Sequence, residues 1–124
     1  RLCGTTYCGP LSPRNEQAAL QRLRSSLRAL AAGYPTSTEE DAALYEGGSL
    51  SPSDGARWHG LVVRYGEKRM ISTYVQLLDI VIPLFALSPA ELAHQIKFNL
   101  GSRKPHWSGI DKYVKTNVTR LVAL

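Results

Sequence analysis

The sequence predicts an all-α protein: a single helical bundle of five to six capped helices behind an extended amino-terminal arm. Three observations carry that expectation. Leu20, Leu23, Leu27 and Leu30 recur at three- and four-residue spacing, the stripe of an amphipathic helix. A Leu-Ser-Pro start occurs at Leu11, Leu50 and Leu87, each time putting a capping serine ahead of a proline in the first helical turn. No stretch alternates apolar and polar residues for long enough to make a strand.

In chain order, residues 1–10 have no period and read as an arm. The first helix starts at Leu11-Ser12-Pro13, follows the leucine stripe, and stops at Gly33 with Pro35 barring its resumption. Ser37 or Thr38 caps a second helix; Glu40, three residues after Ser37, completes a capping box. Glu39, Glu40 and Asp41 fill its first turn, where the positive end of the helix favours carboxylates. Gly47 and Gly48 are expected to close it in the left-handed conformation. A third helix runs from Pro52 towards Tyr65 with Ala56, Leu61 and Val62 inward. After Gly66 a fourth runs from Glu67 to about Ile82, carrying Met70, Ile71, Val75 and Leu78, and ends at Pro83. Its later part is apolar nearly all round, the mark of a core helix or of one buried against another chain. Ser88-Pro89-Ala90-Glu91 opens a fifth helix that Gly101 closes. Residues 102–107 form a basic connector, and Ser108 and Asp111 are placed to cap a last helix with Ile110, Val114, Val118 and Leu121 on one face. The Leu-Ser-Pro starts are 39 and 37 residues apart, but the segments between them are unlike, so they reuse a good cap rather than mark a repeat.

With 124 residues the chain is the size of one domain. No run reaches the ~18 apolar residues of a membrane span. The net charge of +5 is uneven: residues 91–124 hold six basic and two acidic side chains, which opens an anion-binding role for Lys97, Arg103, Lys104, Lys112, Lys115 and Arg120. Cys3 and Cys8 can close only a short loop, and His59, His94 and His106 stand apart, so neither metal nor cofactor is expected. There is no phosphate-binding glycine loop and no nucleophile beside a base. Glu39-Glu40-Asp41 is explained by the helix end, and Arg64, Glu67 and Lys68 read as local ion pairs or as part of a docking surface. No catalytic residue is assigned.

Leu11-Ser12-Pro13-Arg14-Asn15-Glu16, then Tyr34-Pro35-Thr36 with Glu39-Glu40-Asp41 and Leu44, then Val63-Arg64-Tyr65-Gly66-Glu67-Lys68-Arg69 together resemble one family. It is the substrate-binding, carboxyl-terminal helical domain of Rubisco large-subunit methyltransferases and related plastid SET-domain proteins, matched over Leu11–Ile71. The resemblance implies a helical module that binds the protein to be methylated, in a chloroplast or other plastid, while a separate SET domain holds cofactor and catalysis. Nothing in this chain resembles the SET pocket. On this reading residues 11–76 form the family-like region, and 77–124 add an unmatched apolar helix and basic helices within the same domain.

The expected function is therefore a non-catalytic module docking on a plastid protein or complex, with an architectural role in a photosynthetic or gene-expression assembly as its sharper form. Candidate contact residues are Arg64, Glu67, Lys68, Arg69, Leu77, Ile80, Leu84 and Phe85, and peripheral contact with a membrane complex fits the same reading. The alternatives are a piece of a longer SET-type lysine methyltransferase, and a basic RNA- or DNA-binding accessory protein whose affinity would fall steeply with salt.

Overall fold

Helix α1 spans Pro13–Ala32, and its start follows from Ser12, whose Oγ accepts the Asn15 N–H at 3.0 Å. The structure, a computed structural model, describes residues 12–100 and 110–124. The arm of residues 1–10 with Cys3 and Cys8, the connector with Arg103 and Lys104, and the expected Gly101 stop and Ser108 cap lie outside them. The described residues are helical throughout their regular structure, without a strand. The all-α expectation holds.

Helix α2 is Thr38–Glu46, and Ser37 caps it with both halves of the box: Ser37 Oγ accepts from Glu40 N–H at 3.0 Å and Glu40 Oε2 from Ser37 N–H at 3.1 Å. Its closure differs from expectation. Gly48 is left-handed at φ 74°, but Gly47 stays right-handed at φ −76°. Gly47 is required for space instead, since a Cβ there would lie 2.3 Å from the Ala43 carbonyl oxygen.

Ser51 and Pro52 start only a 3₁₀ turn, Pro52–Asp54, with Asp54 Oδ2 accepting the Ser51 N–H at 2.7 Å. Helix α3 then runs unbroken over Ala56–Val81. The two helices expected on either side of Gly66 are one. A helical glycine costs about 1 kcal/mol against alanine, too little to end a helix held by long-range bonds on both sides: Tyr65 to Glu46 and Lys68 to Asp41. Of the residues expected inward at its start, Leu61 is fully buried but Ala56 and Val62 are exposed. Pro83 ends the helix in a 3₁₀ turn, Ile82–Ala86.

Helix α4 is Pro89–Gln95, with Ser88 Oγ accepting from Glu91 N–H at 3.2 Å, and a π turn, Ile96–Leu100, follows. Helix α5 covers residues 111–122 and contains a π turn, Val114–Val118, whose Val114 carbonyl accepts the Thr119 hydroxyl at 3.1 Å. Asp111 is not its cap but its first residue, and it pairs with Lys115 one turn on.

The chain divides into two compact units, Ser25–Val75 and Arg1–Arg24 with Gln76–Leu124. The core of the second is Val81, Leu84, Leu92, Ile110, Val114 and Val118, with Leu20, Leu77, Ile80 and Phe85 packed against it. Ile110, Val114, Val118 and Leu121, the face expected of the last helix, are all buried. Gln17 Nε2 donates to the Ile82 carbonyl at 3.1 Å, one of the acceptors freed at the end of α3, and Arg24 pairs with Asp79 at 2.8 Å.

By length and composition Ala56–Ala86 could cross a bilayer: its most apolar 18-residue window has a mean hydropathy of 1.3, although no such run was expected. Only 28% of that window is buried. The end of the window packs in the core just described, whereas Met70 and Tyr74 are exposed. In α1, likewise, Leu20 and Leu27 are half-buried while Leu23 and Leu30 are exposed.

A Cβ built at Gly60 or Gly66 meets nothing within 4 Å. Gly60→Ala and Gly66→Ala should therefore each raise stability by about 0.5–1 kcal/mol in urea denaturation. Destabilisation by Gly66→Ala would show that α3 does not run straight through that position.

Candidate functional site

The densest polar constellation in the Ser25–Val75 unit is centred on Asp41, fourth residue of α2 and fully buried. The capping box at Ser37 sets the rotation of α2, and that rotation turns Asp41 towards α3 on the face it shares with Leu44. On α3, Arg64 and Lys68 stand four residues apart and so on one face. Arg64 Nε lies 3.0 and 3.1 Å from the two Asp41 oxygens and its Nη2 lies 3.0 Å from Oδ1, a forked grip. Lys68 Nζ lies 2.6 Å from Oδ2. Thr36 Oγ1 donates to Oδ1 at 2.9 Å.

Two cations face one carboxylate here, and the remaining positive charge is spread over uncharged acceptors. Lys68 Nζ also donates to the Thr36 carbonyl and to Thr36 Oγ1, and sits 5.0 Å above the Tyr34 ring. Burial by itself would raise the Asp41 pKa. The hydrogen bonds from Arg64, Lys68 and Thr36 and the guanidinium charge outweigh it and bring the value down to about 2.

Around this lock lie aromatic side chains. Tyr45 stacks on Trp58 with centroids 5.4 Å apart and tilts against Tyr65 at 5.3 Å. Tyr65 donates to Glu46 at 2.9 Å, and the Arg69 guanidinium lies 5.6 Å above its ring. Tyr34 donates to Glu67. Both phenols have raised pKa values, chiefly because a hydrogen bond to a carboxylate favours the protonated form.

The structure thus brings Arg64 and Lys68 together, but around Asp41 rather than Glu67. The local ion pairs expected among Arg64, Glu67 and Lys68 give way to bonds reaching 23 to 33 residues along the chain. Lys68 is buried, whereas Glu67 and Arg69 are exposed. Leu84 is buried, and Leu77, Ile80 and Phe85 pack on the chain's own core. Among the anion-binding candidates, Lys97 and Lys112 are exposed, Lys115 is tied to Asp111, and Arg120 is exposed on α5.

Asp41 is the residue that sequence reading missed. Its role was hidden because a helix amino terminus already accounted for a carboxylate there. The available signal was its phase: Asp41, Leu44 and Tyr45 share one face of α2, so an acid sits where an apolar residue would be expected. Chemically the cluster is a clamp, in which Asp41, Arg64 and Lys68 are all engaged with one another. Among the described residues no group of three or more His, Cys, Asp or Glu is placed to hold a metal ion.

A family model described as Rubisco LSMT substrate-binding matches residues 4–71, a span that includes the whole Asp41 clamp. Neither the curated proteins nor the solved structures gave a match.

Asp41→Asn should cost about 3–5 kcal/mol, because it leaves two cations around a neutral amide. Asp41 has a lowered pKa in the folded state, so its contribution is complete above its ordinary value of 3.8 and disappears as the pH falls through about 2. The stability gap between wild type and Asp41→Asn should therefore shrink by about 2 kcal/mol between pH 5 and pH 2. Parallel pH curves in chemical denaturation would rule the clamp out as a charged interaction.

Proposed function

We infer that this chain docks on another protein, because it belongs to the Rubisco LSMT substrate-binding family, whose model its residues 4–71 match. The reading we favour is a non-catalytic module that recognises a plastid protein or a multiprotein complex. The family match is the observation that carries it. The geometry supports it in one further respect: Asp41, Arg64 and Lys68 are engaged with one another in holding α2 against α3. That clamp suits a rigid recognition surface.

The architectural form of this reading, with residues 77–87 at an interface, draws less support. Those residues meet the chain's own core, so the docking surface is better sought in the family-matched part. A second reading rests on the same match: in a longer protein this segment would be the substrate-binding part of a SET-type lysine methyltransferase. The mass of the native protein separates the two, since the second requires a whole catalytic domain in addition.

Immobilised full chain should retain one plastid protein in stoichiometric amount from a plastid extract, with no methyl transfer to it when S-adenosylmethionine is added to the purified pair. Recovery of no stoichiometric partner would overturn the docking reading. Methyl transfer by the purified chain would overturn its non-catalytic form.

A further inference from the structure

On the side of α3 turned away from the Asp41 clamp, apolar side chains stand in the open. Val63, Met70 and Tyr74 are 59%, 58% and 53% exposed. Their spacing of seven and four residues puts them in one line about 16 Å long. Gly66 lies beside that line with open space around its Cβ position, and Val62 widens it at one edge. All of these residues belong to the Ser25–Val75 unit. In the middle of the line, four residues after Val63, stands the exposed Glu67, whose Oε2 accepts from Tyr34.

Charge narrows what could cover this ribbon. The Ser25–Val75 unit carries five basic and six acidic side chains, a balance of −1, whereas the rest of the chain carries +6. Arg64, Lys68 and Asp41 are engaged in the clamp. What the unit presents outward is Arg28, Arg57 and Arg69 against Glu39, Glu40, Glu46, Asp54 and Glu67, an acidic excess. A second copy of the chain is a poor occupant. The ribbon exposes on the order of a few hundred Å² of apolar surface, well below the ~800 Å² per partner of a stable interface. Antiparallel self-pairing centred between Gly66 and Glu67 would also bring the two Glu67 carboxylates together.

We propose that the Val63–Met70–Tyr74 ribbon with Glu67 is the seat for a basic amphipathic helix of the partner protein, its apolar face on the ribbon and a lysine or arginine against Glu67. This rests on the docking reading above and adds the site and the chemistry of what it takes. The seat is small, so binding is transient and selective by charge rather than permanent.

Met70 is the chain's only methionine, so its methyl group gives a single resonance at the centre of the ribbon. The full chain, labelled at the methionine methyl, is titrated with a synthetic helical peptide of about four turns carrying leucines on one face and lysines on the other. A second titration uses the same peptide with glutamates for lysines. The lysine peptide should shift the Met70 signal saturably and the glutamate peptide should not. Glu67→Gln, which keeps an acceptor for Tyr34, should weaken the lysine peptide about tenfold, and Val63→Ser with Tyr74→Ser should abolish the shift. A Met70 signal that neither peptide moves, or that both move equally, overturns the proposal. So does a shift with protein concentration alone, which would make the occupant a second copy, or broadening by phosphatidylcholine vesicles, which would make it a lipid surface. If a partner retained from plastid extract is held equally well by the Val63→Ser, Tyr74→Ser variant, the ribbon is refuted while docking stands. If neither form retains a partner, the docking reading itself is refuted.

Discussion

An ionised carboxylate enclosed by protein is costly, by several kcal/mol even after relaxation, unless its oxygens are nearly all engaged. Asp41 meets that condition through two cations and a hydroxyl, and the requirement propagates outward. The carboxylate is in place only if α2 starts where Ser37 starts it. Arg64 and Lys68 both reach it only if α3 stays helical through Gly66. Tyr34 and Thr36 supply the surplus acceptors only if α1 has already ended at Gly33. The clamp thereby fixes α2 and the segment before it in register with α3, and with them which face of α3 is left outward.

Local signals in the sequence were sufficient for most of the helical plan. Serine caps at 12, 37 and 88, the proline at 83 and the face Ile110–Val114–Val118–Leu121 are decided within a turn or two of the chain, and there the structure follows them. The sequence misled where a distant partner decided the outcome. Gly66 reads as a break because its propensity is poor, but long-range bonds from Tyr65 and Lys68 hold the helix across it. Gly47 reads as left-handed because that is the common reason for a glycine at a helix end, when the reason here is a crowded carbonyl. Arg64, Glu67 and Lys68 read as partners of one another because they are neighbours, whereas each bonds to a residue more than twenty positions earlier. The family-like region was recognisable from short runs of residues, but the site within it was not, since Asp41 fits a helix cap as well as it fits a clamp.

The two units also differ in what holds them. Ser25–Val75 has few buried apolar side chains, Leu61, Tyr65 and Ile71, and relies on ion pairs and stacked rings. The other unit has the larger aliphatic core, stapled at its edge by Gln17, by the Arg24–Asp79 pair and by the bond from Tyr113 to Glu16 at 2.5 Å. Polar fastening is directional where aliphatic packing is not. The Ser25–Val75 unit, most of which lies within the family match, is therefore the one whose surface geometry is the more strictly prescribed.

Lys68 is the only lysine between residues 25 and 75, and it is buried against Asp41; the other four are Lys97, Lys104, Lys112 and Lys115. Reagents that acylate primary amines will therefore mark this protein almost entirely outside the Ser25–Val75 unit. Within that unit the buried Lys68 is the only lysine to report a contact, so carboxylate-directed chemistry at the exposed Glu67 is the way to register one there.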